Sequence, residues 1–301
     1  MLHSFPMTTK ELSSRIDGLS GVQKTNTIVS LLGDSKVFAE LSKTELELLR
    51  QRDLEDEYKL KEGISVAESK GLLSRAGKEP EWIRISVDGK MPGEIYDEIA
   101  SQVGFEKPGT VLLICGNSGV GKGTLVEELI SRTPGAGRWS NGDIFRVFTY
   151  FVLAAGDGQS VDPDTVGRTD FDEISSRIII EEDSDIIVRL PGGDTSLDSI
   201  KNGILKETPI NRALPSVARY TQGEVIAIVN RYLKLNKSSH LILEGRKETL
   251  NYIDADYRVE LVLDDKSILG KRRAAQKIAS LLDEYKGGDI GIDEFLRTQY
   301  K

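Results

Sequence analysis

Nine residues near the middle of the chain, GNSGVGKGT from Gly116 to Thr124, are of the types that bind phosphate. Glycines at 116, 119, 121 and 123 let backbone N–H groups converge on an anion, and Lys122 adds a formal positive charge. The apolar run VLLIC at 111–115 reads as a strand and 121–131 as a helix, so the loop would present its amides at a helix N-terminus. The general pattern is GxxxxGK followed by Ser or Thr; here Gly123 takes that last position and Thr124 comes one later. The chemistry this predicts is capture of a polyphosphate. Gly116, Asn117, Ser118, Gly119, Val120, Gly121, Lys122, Gly123 and Thr124 form the expected nucleotide-binding loop. The bland alternative is a glycine-rich turn that binds nothing, which a strand before the loop and a helix after it disfavour.

Composition narrows the ligand. A formal net charge of -8 argues against a nucleic-acid backbone or an anionic membrane as main partner, whereas a small phosphorylated molecule can be held by local Arg and Lys clusters. The 301 residues, 39% hydrophobic and 29% charged, suffice for one large or two modest domains with an ordinary core. Cys115 is the single cysteine and lies inside VLLIC, so the expectation is a buried, inert thiol and no intrachain disulfide. Two histidines and one cysteine cannot build a zinc site. No apolar run approaches the ~20 residues of a membrane span, and the N-terminus lacks a secretory apolar segment. A cytoplasmic protein is expected.

The elements that must position the loop follow from periodicity. Residues 1–80 contain three capping-box patterns, Thr8 with Glu11, Ser42 with Glu45 and Ser65 with Glu68, punctuated by Gly18, Gly33, Gly63 and Gly71. They predict an accessory region of short helices. In 81–301 the pattern changes. WIRISV (82–87) alternates as a half-exposed strand, GEIYDEIASQV has helical spacing, and VLLIC, HLILEG (240–245) and RVELVL (258–263) read as buried parallel strands. Helices are expected at 121–131, 143–155 and 211–235, giving an α/β layered fold with a parallel sheet. RIIIEE and DIIVRL, joined by DSD between Asp170 and Asn211, predict a small inserted antiparallel sheet.

Three segments together resemble the nucleoside monophosphate kinases: the GKGT ending of the loop, SNGDIFR (140–146) and LILEGR (241–246). The insert, and the similarity of NRALPSVARYTQGEVIAIVNRYL (211–233) with its Ser216-Val217-Ala218 to the helix that follows it, point within that family to cytidylate kinase. The resemblance covers about 110–298. It implies a P-loop NTPase-type three-layer parallel sheet, an inserted acceptor-binding subdomain at about 166–212 and a lid at about 265–290. It also implies transfer of the ATP γ-phosphate to a nucleoside monophosphate such as CMP or dCMP, with Mg²⁺ and no covalent enzyme intermediate. Such a reaction is catalysed by positioning and electrostatics. Lys122 and the loop amides would then hold the donor phosphates, with Mg²⁺ near Thr124 and reached by Glu244 through water. Arg146 and Arg246 would clamp the acceptor phosphate, and Arg272 and Arg273 would close over the transferring group. Asn141, Gly142, Phe145 and Ser216 complete the expected acceptor site; Phe145 and Tyr220 suit either base stacking or the core.

The pattern is broken in two places. Where cytidylate kinases read the cytosine edge with an arginine and an aspartate, this chain has Glu224 (or Gly223) and Lys247, with Arg219 close by as a substitute. The family also continues past the lid with an Arg/Asp-rich motif, a fifth strand and a final helix, while this sequence stops at EFLRTQYK. The expectation is that WIRISV and the N-terminal helices cover the sheet margin instead. Two alternatives stay open: a kinase of a different small metabolite using the same cleft, and an inactive nucleotide-binding regulatory or scaffold module. The oligomeric state is left open.

Overall fold

The computed structural model describes residues 7–73, 80–104, 107–156, 158, 161, 166, 168–181 and 185–300. They form two compact units, one spanning Leu54–Val262 and one combining Met1–Asp53 with Leu263–Lys301. The division therefore does not fall at residue 80. It falls inside a helix and again after the last strand, because the two ends of the chain pack on each other.

The larger unit is α/β. Its main sheet has five strands, all parallel, in the order β1–β8–β2–β7–β3: β1 Ile83–Ser86, β8 Tyr257–Val262, β2 Val111–Gly116, β7 Leu241–Glu244 and β3 Gly137–Ser140. β2 is central, and its Leu112, Leu113, Ile114 and Cys115 are fully buried, as an unbroken apolar run requires when helices cover both faces of a sheet. Burial pushes the Cys115 thiol up to about 12. Iodoacetamide at pH 7.5 is accordingly expected to leave Cys115 unmodified in the native protein and to alkylate it in urea, read by mass spectrometry.

WIRISV does cover the sheet margin. β1 pairs in parallel with β8, Ile85 opposite Leu261, so the strand beside β8 comes from ahead of the glycine loop. Helix α4, Pro92–Ala100, follows it, with Pro92 in its first turn and the Glu94 carboxylate accepting from Met91 N–H at 2.7 Å. It lies against α5, Lys122–Arg132, where the Arg132 guanidinium stacks 4.7 Å from the Tyr96 ring centre. Helix α6, Asn141–Ala155, follows β3.

The insert is present as a three-stranded antiparallel sheet, β4 Ile178–Ile180, β5 Ile186–Leu190 and β6 Gly193–Ser196, between the short helices α7 (Phe171–Ser176) and α8 (Leu197–Ile200). The two isoleucine-rich runs pair antiparallel as expected, with Ile179 opposite Ile187, although residues 183–184 of the DSD turn lie outside the described residues. The third strand is polar, which is why periodicity missed it. The single helix expected at 211–235 is two, α9 Thr208–Ala218 and α10 Gln222–Leu235, separated by Arg219–Thr221. A short α11, Lys247–Leu250, follows β7.

In the smaller unit α1 (Thr9–Ile16), α2 (Gly21–Leu32) and the first part of α3 share a core with α12 (Ser267–Glu284) and α13 (Ile292–Gln299); Leu12, Ile28, Phe38, Ala274, Ile278 and Phe295 are its centre. The capping box at Thr8 forms as predicted, with Glu11 N–H donating to Thr8 Oγ1. Those at Ser42 and Ser65 do not. α3 runs unbroken from Lys36 to Ser69, and both hydroxyls donate back to carbonyls one turn earlier, Phe38 and Lys61. Both chain ends are tied together here: Thr9 N–H donates to Ile290 O at 2.9 Å, and Lys10 N–H to Asp289 Oδ1 at 3.0 Å. Among the described residues no helix is long and apolar enough to cross a membrane.

Candidate functional site

β2 delivers the chain to the glycine loop at its carboxyl end. From there α5 carries it past β7 to β3, while β8 lies on the other side of β2. The strand order thus switches direction at β2, the position where open α/β sheets form a ligand crevice. Gly116 passes so close to β8 that a Cβ there would sit 2.7 Å from Leu261 O. Gly121, at φ 95°, turns the chain into α5 in a left-handed conformation, with nothing within 4 Å of where a Cβ would be. The turn is tight on the sheet side and open on the other. Lys122 folds over it, its Nζ donating to Gly116 O at 2.6 Å and Asn117 O at 3.0 Å.

Glu244 stands opposite Ile114 at the end of β7, and Gly245 N–H donates to Ile114 O. The expected metal-side carboxylate is therefore beside the entry to the loop. It has a partner that sequence reasoning overlooked: Arg138 on β3 reaches Glu244 Oε1 at 3.4 Å. Arg246 comes next on the chain and donates both to Ser118 Oγ of the loop, at 3.1 Å, and to Asp56 Oδ2, at 3.0 Å. That puts the predicted clamp arginine against the glycine loop. Thr124 is half-buried on the first turn of α5.

The acceptor-side residues are distributed more widely. Asn141 is buried, accepts from Trp139 Nε1–H at 2.6 Å, and has its Nδ2 against Gly245; that Nδ2 has no hydrogen-bond partner among the described residues. Arg146 curls back over Gly142 to Asp143, 3.4 Å away. Phe145 is 7% exposed and belongs to the core, which removes it from the base-stacking role that the resemblance suggested. Ser216 is half-buried on α9. Arg219, at the C-cap of α9, pairs with Glu62 of α3. Lys247 is held by Glu260 at 2.9 Å and lies over the Trp82 ring. Arg272 and Arg273, expected as lid arginines, belong to α12 in the smaller unit, where Arg273 lies 3.9 Å from buried Glu45. The amphipathic face of α12 explains this: Ala274, Ala275, Ile278 and Leu282 fill that unit's core and leave the arginines on its flank.

Asp56 and Glu62 are the residues that the sequence reading did not single out. They sit in a charge-rich stretch of α3 that reads as a solvated face, and no local signal sets them apart from its other carboxylates.

Glu224, in the first turn of α10, keeps Oε2 buried without a hydrogen-bond partner among the described residues. Burial raises its carboxyl above the ordinary 4.5, with its own backbone N–H and then the Lys70 charge only partly offsetting this. A carboxyl whose folded pKa lies above its unfolded one contributes stability at low pH that is lost as pH rises through the folded value. Glu224→Gln is thus expected to raise Tm at pH 7 and to leave it nearly unchanged below pH 4.5, as a calorimetric pH series would record.

No protein-family model matches the chain, and no curated protein matches it.

Proposed function

We propose that the protein is an ATP-dependent phosphotransferase of the nucleoside monophosphate kinase type. The observation that carries this reading is the contact between Arg246 and Ser118: a phosphate-binding loop and an arginine suited to an acceptor phosphate share one crevice. The α/β unit, with its all-parallel five-stranded sheet and inserted antiparallel sheet, is compatible with the P-loop kinase architecture.

The order of elements supports it further. The Arg/Asp-rich segment, strand and final helix that the resemblance places after residue 301 have counterparts ahead of the loop, at 50–56, β1 and α4. The alternative of an inactive nucleotide-binding module keeps the long helical N-terminal region as its support.

In this reading Lys122 leaves Gly116 O and Asn117 O to meet the donor β- and γ-phosphates, joined by loop amides at the N-terminus of α5. Arg246, and Arg146 once released from Asp143, neutralise the acceptor phosphate and align it with the γ-phosphate. Asn141, Gly142 and Ser216 border the acceptor, and the open side of Gly121 leaves space for the phosphates. Thr124 and Glu244 offer hard oxygens beside the loop and would hold Mg²⁺, which would supply positive charge to offset that of the phosphates. Arg138 orients Glu244 for that task. No side chain is asked to form a covalent intermediate.

Lys247 favours a second reading within the same class. Its engagement with Glu260 and Trp82 makes it a poor reader of a cytosine edge, which suits a different acceptor. A panel of CMP, dCMP, UMP, AMP, GMP and unphosphorylated metabolites, assayed with MgATP for ADP formation, separates the two. The first reading expects a nucleoside monophosphate to lead the panel; a leading unphosphorylated metabolite would establish the second.

A further inference from the structure

Two guanidiniums on the acceptor side, Arg246 and Arg219, are already ion-paired, and both partners come from α3. Asp56 meets Arg246 at 3.0 Å and Glu62 meets Arg219. The Asp56–Arg246 pair is about a quarter exposed (24% and 26%) and the Glu62–Arg219 pair about a third (31% and 39%), so both remain in contact with solvent and each is worth little to stability.

The helix does not depend on these pairs for its position. Gly63 lies so close to Arg219 O that a Cβ would be 2.5 Å away, and a Cβ at Gly223 would be 2.9 Å from Leu72 Cδ1. Tyr252 donates to Glu68 Oε1 at 2.7 Å and packs on the apolar cluster of Ala67, Leu73 and Ile226. Backbone packing and apolar contacts fix α3 here, and the fixed helix presents the carboxylates to the arginines.

We propose that Asp56 and Glu62 act as resident counter-ions, so that this half of the crevice takes a phosphate monoester only by exchange for carboxylate. The inference rests on the acceptor-site reading of Arg219 and Arg246. Its basis is charge. A monoanionic ligand replacing a carboxylate at a guanidinium gains nothing, whereas a phosphate dianion presents twice the charge in a geometry that guanidinium binds bidentately. The two carboxylates therefore compete with any anion for these guanidiniums, and a phosphate dianion, with its larger charge, is the ligand that displaces them.

The test uses the full chain in a Lys122→Ala background, which weakens the competing glycine loop, with inorganic phosphate and acetate as probes at low ionic strength. Asp56→Asn and Glu62→Gln should each tighten phosphate binding about two- to fivefold, and the double variant more. Acetate, the weaker ligand throughout, should gain no more than phosphate does, and Tm should stay at the parent value. Unchanged, weaker or undetectable phosphate binding in the neutralised variants overturns the proposal and leaves the carboxylates as simple supports of the arginines. Arg246→Ala and Arg219→Ala variants that bind phosphate as tightly as the parent would show instead that the acceptor-site reading has failed, and the inference with it.

Discussion

Lys122→Ala is expected to reduce ATP-dependent phosphoryl transfer by about 10²–10³-fold, the usual cost of losing one preorganised donor at developing charge. Lys122 opens α5, where alanine is an equally good helix former, and its Nζ bonds to Gly116 O and Asn117 O, two carbonyls of the loop itself. The fold should therefore survive, with Tm close to wild type in the preparation that has lost turnover. Calorimetry and an ADP-release assay on one sample check both halves of the expectation. A variant that keeps its turnover would remove Lys122 from the chemistry, whatever its effect on nucleotide affinity.

The largest effect on stability is expected at Trp139. Its side chain is fully buried in the main core and lies 5.0 Å from the Tyr232 ring, while its Nε1–H satisfies Asn141 Oδ1 at 2.6 Å. Trp139→Ala removes the ring and should cost about 3–5 kcal/mol in urea denaturation. Trp139→Phe keeps most of the apolar volume but leaves Asn141 Oδ1 unbonded, which should cost about 1–3 kcal/mol. Because Asn141 opens α6 and its amide lies against Gly245, both changes reach the site as well as the core. An alanine variant that loses less than about 1 kcal/mol would contradict the packing described.

Much of the α/β unit was legible because its signals are local. VLLIC and LIL read as buried strands since they are unbroken apolar runs, and the glycine loop is defined by contiguous residues. RVELVL is legible as a strand although Arg258 and Glu260 interrupt it and only alternate residues are buried. The two isoleucine-rich runs signalled their antiparallel pairing through the turn-forming DSD between them. Where the sequence misled, the deciding contact was remote. Ser42 and Ser65 have the letters of helix caps, but the length of α3 is set by what it packs on, and Gly63 is no breaker because Arg219 O occupies the space beside it. GKRRAAQK showed its charge but not that its alanines fill the core of the smaller unit. Asp56 and Glu62 could not be singled out because their partners, Arg246 and Arg219, are more than 150 residues away in the chain. The closure of the sheet margin by WIRISV was legible only as an expectation, since strand alternation says nothing about which neighbour a strand will find.

The central claim is that the crevice moves a phosphoryl group from one nucleotide to another. Phosphorus NMR of the protein with MgATP and CMP, repeated with each other monophosphate, follows donor and acceptor in the same sample. The account predicts that ADP and the acceptor's diphosphate rise together in equal amounts for at least one nucleoside monophosphate. ADP formed without any phosphorylated acceptor, or no ADP with every monophosphate despite bound ATP, would contradict it.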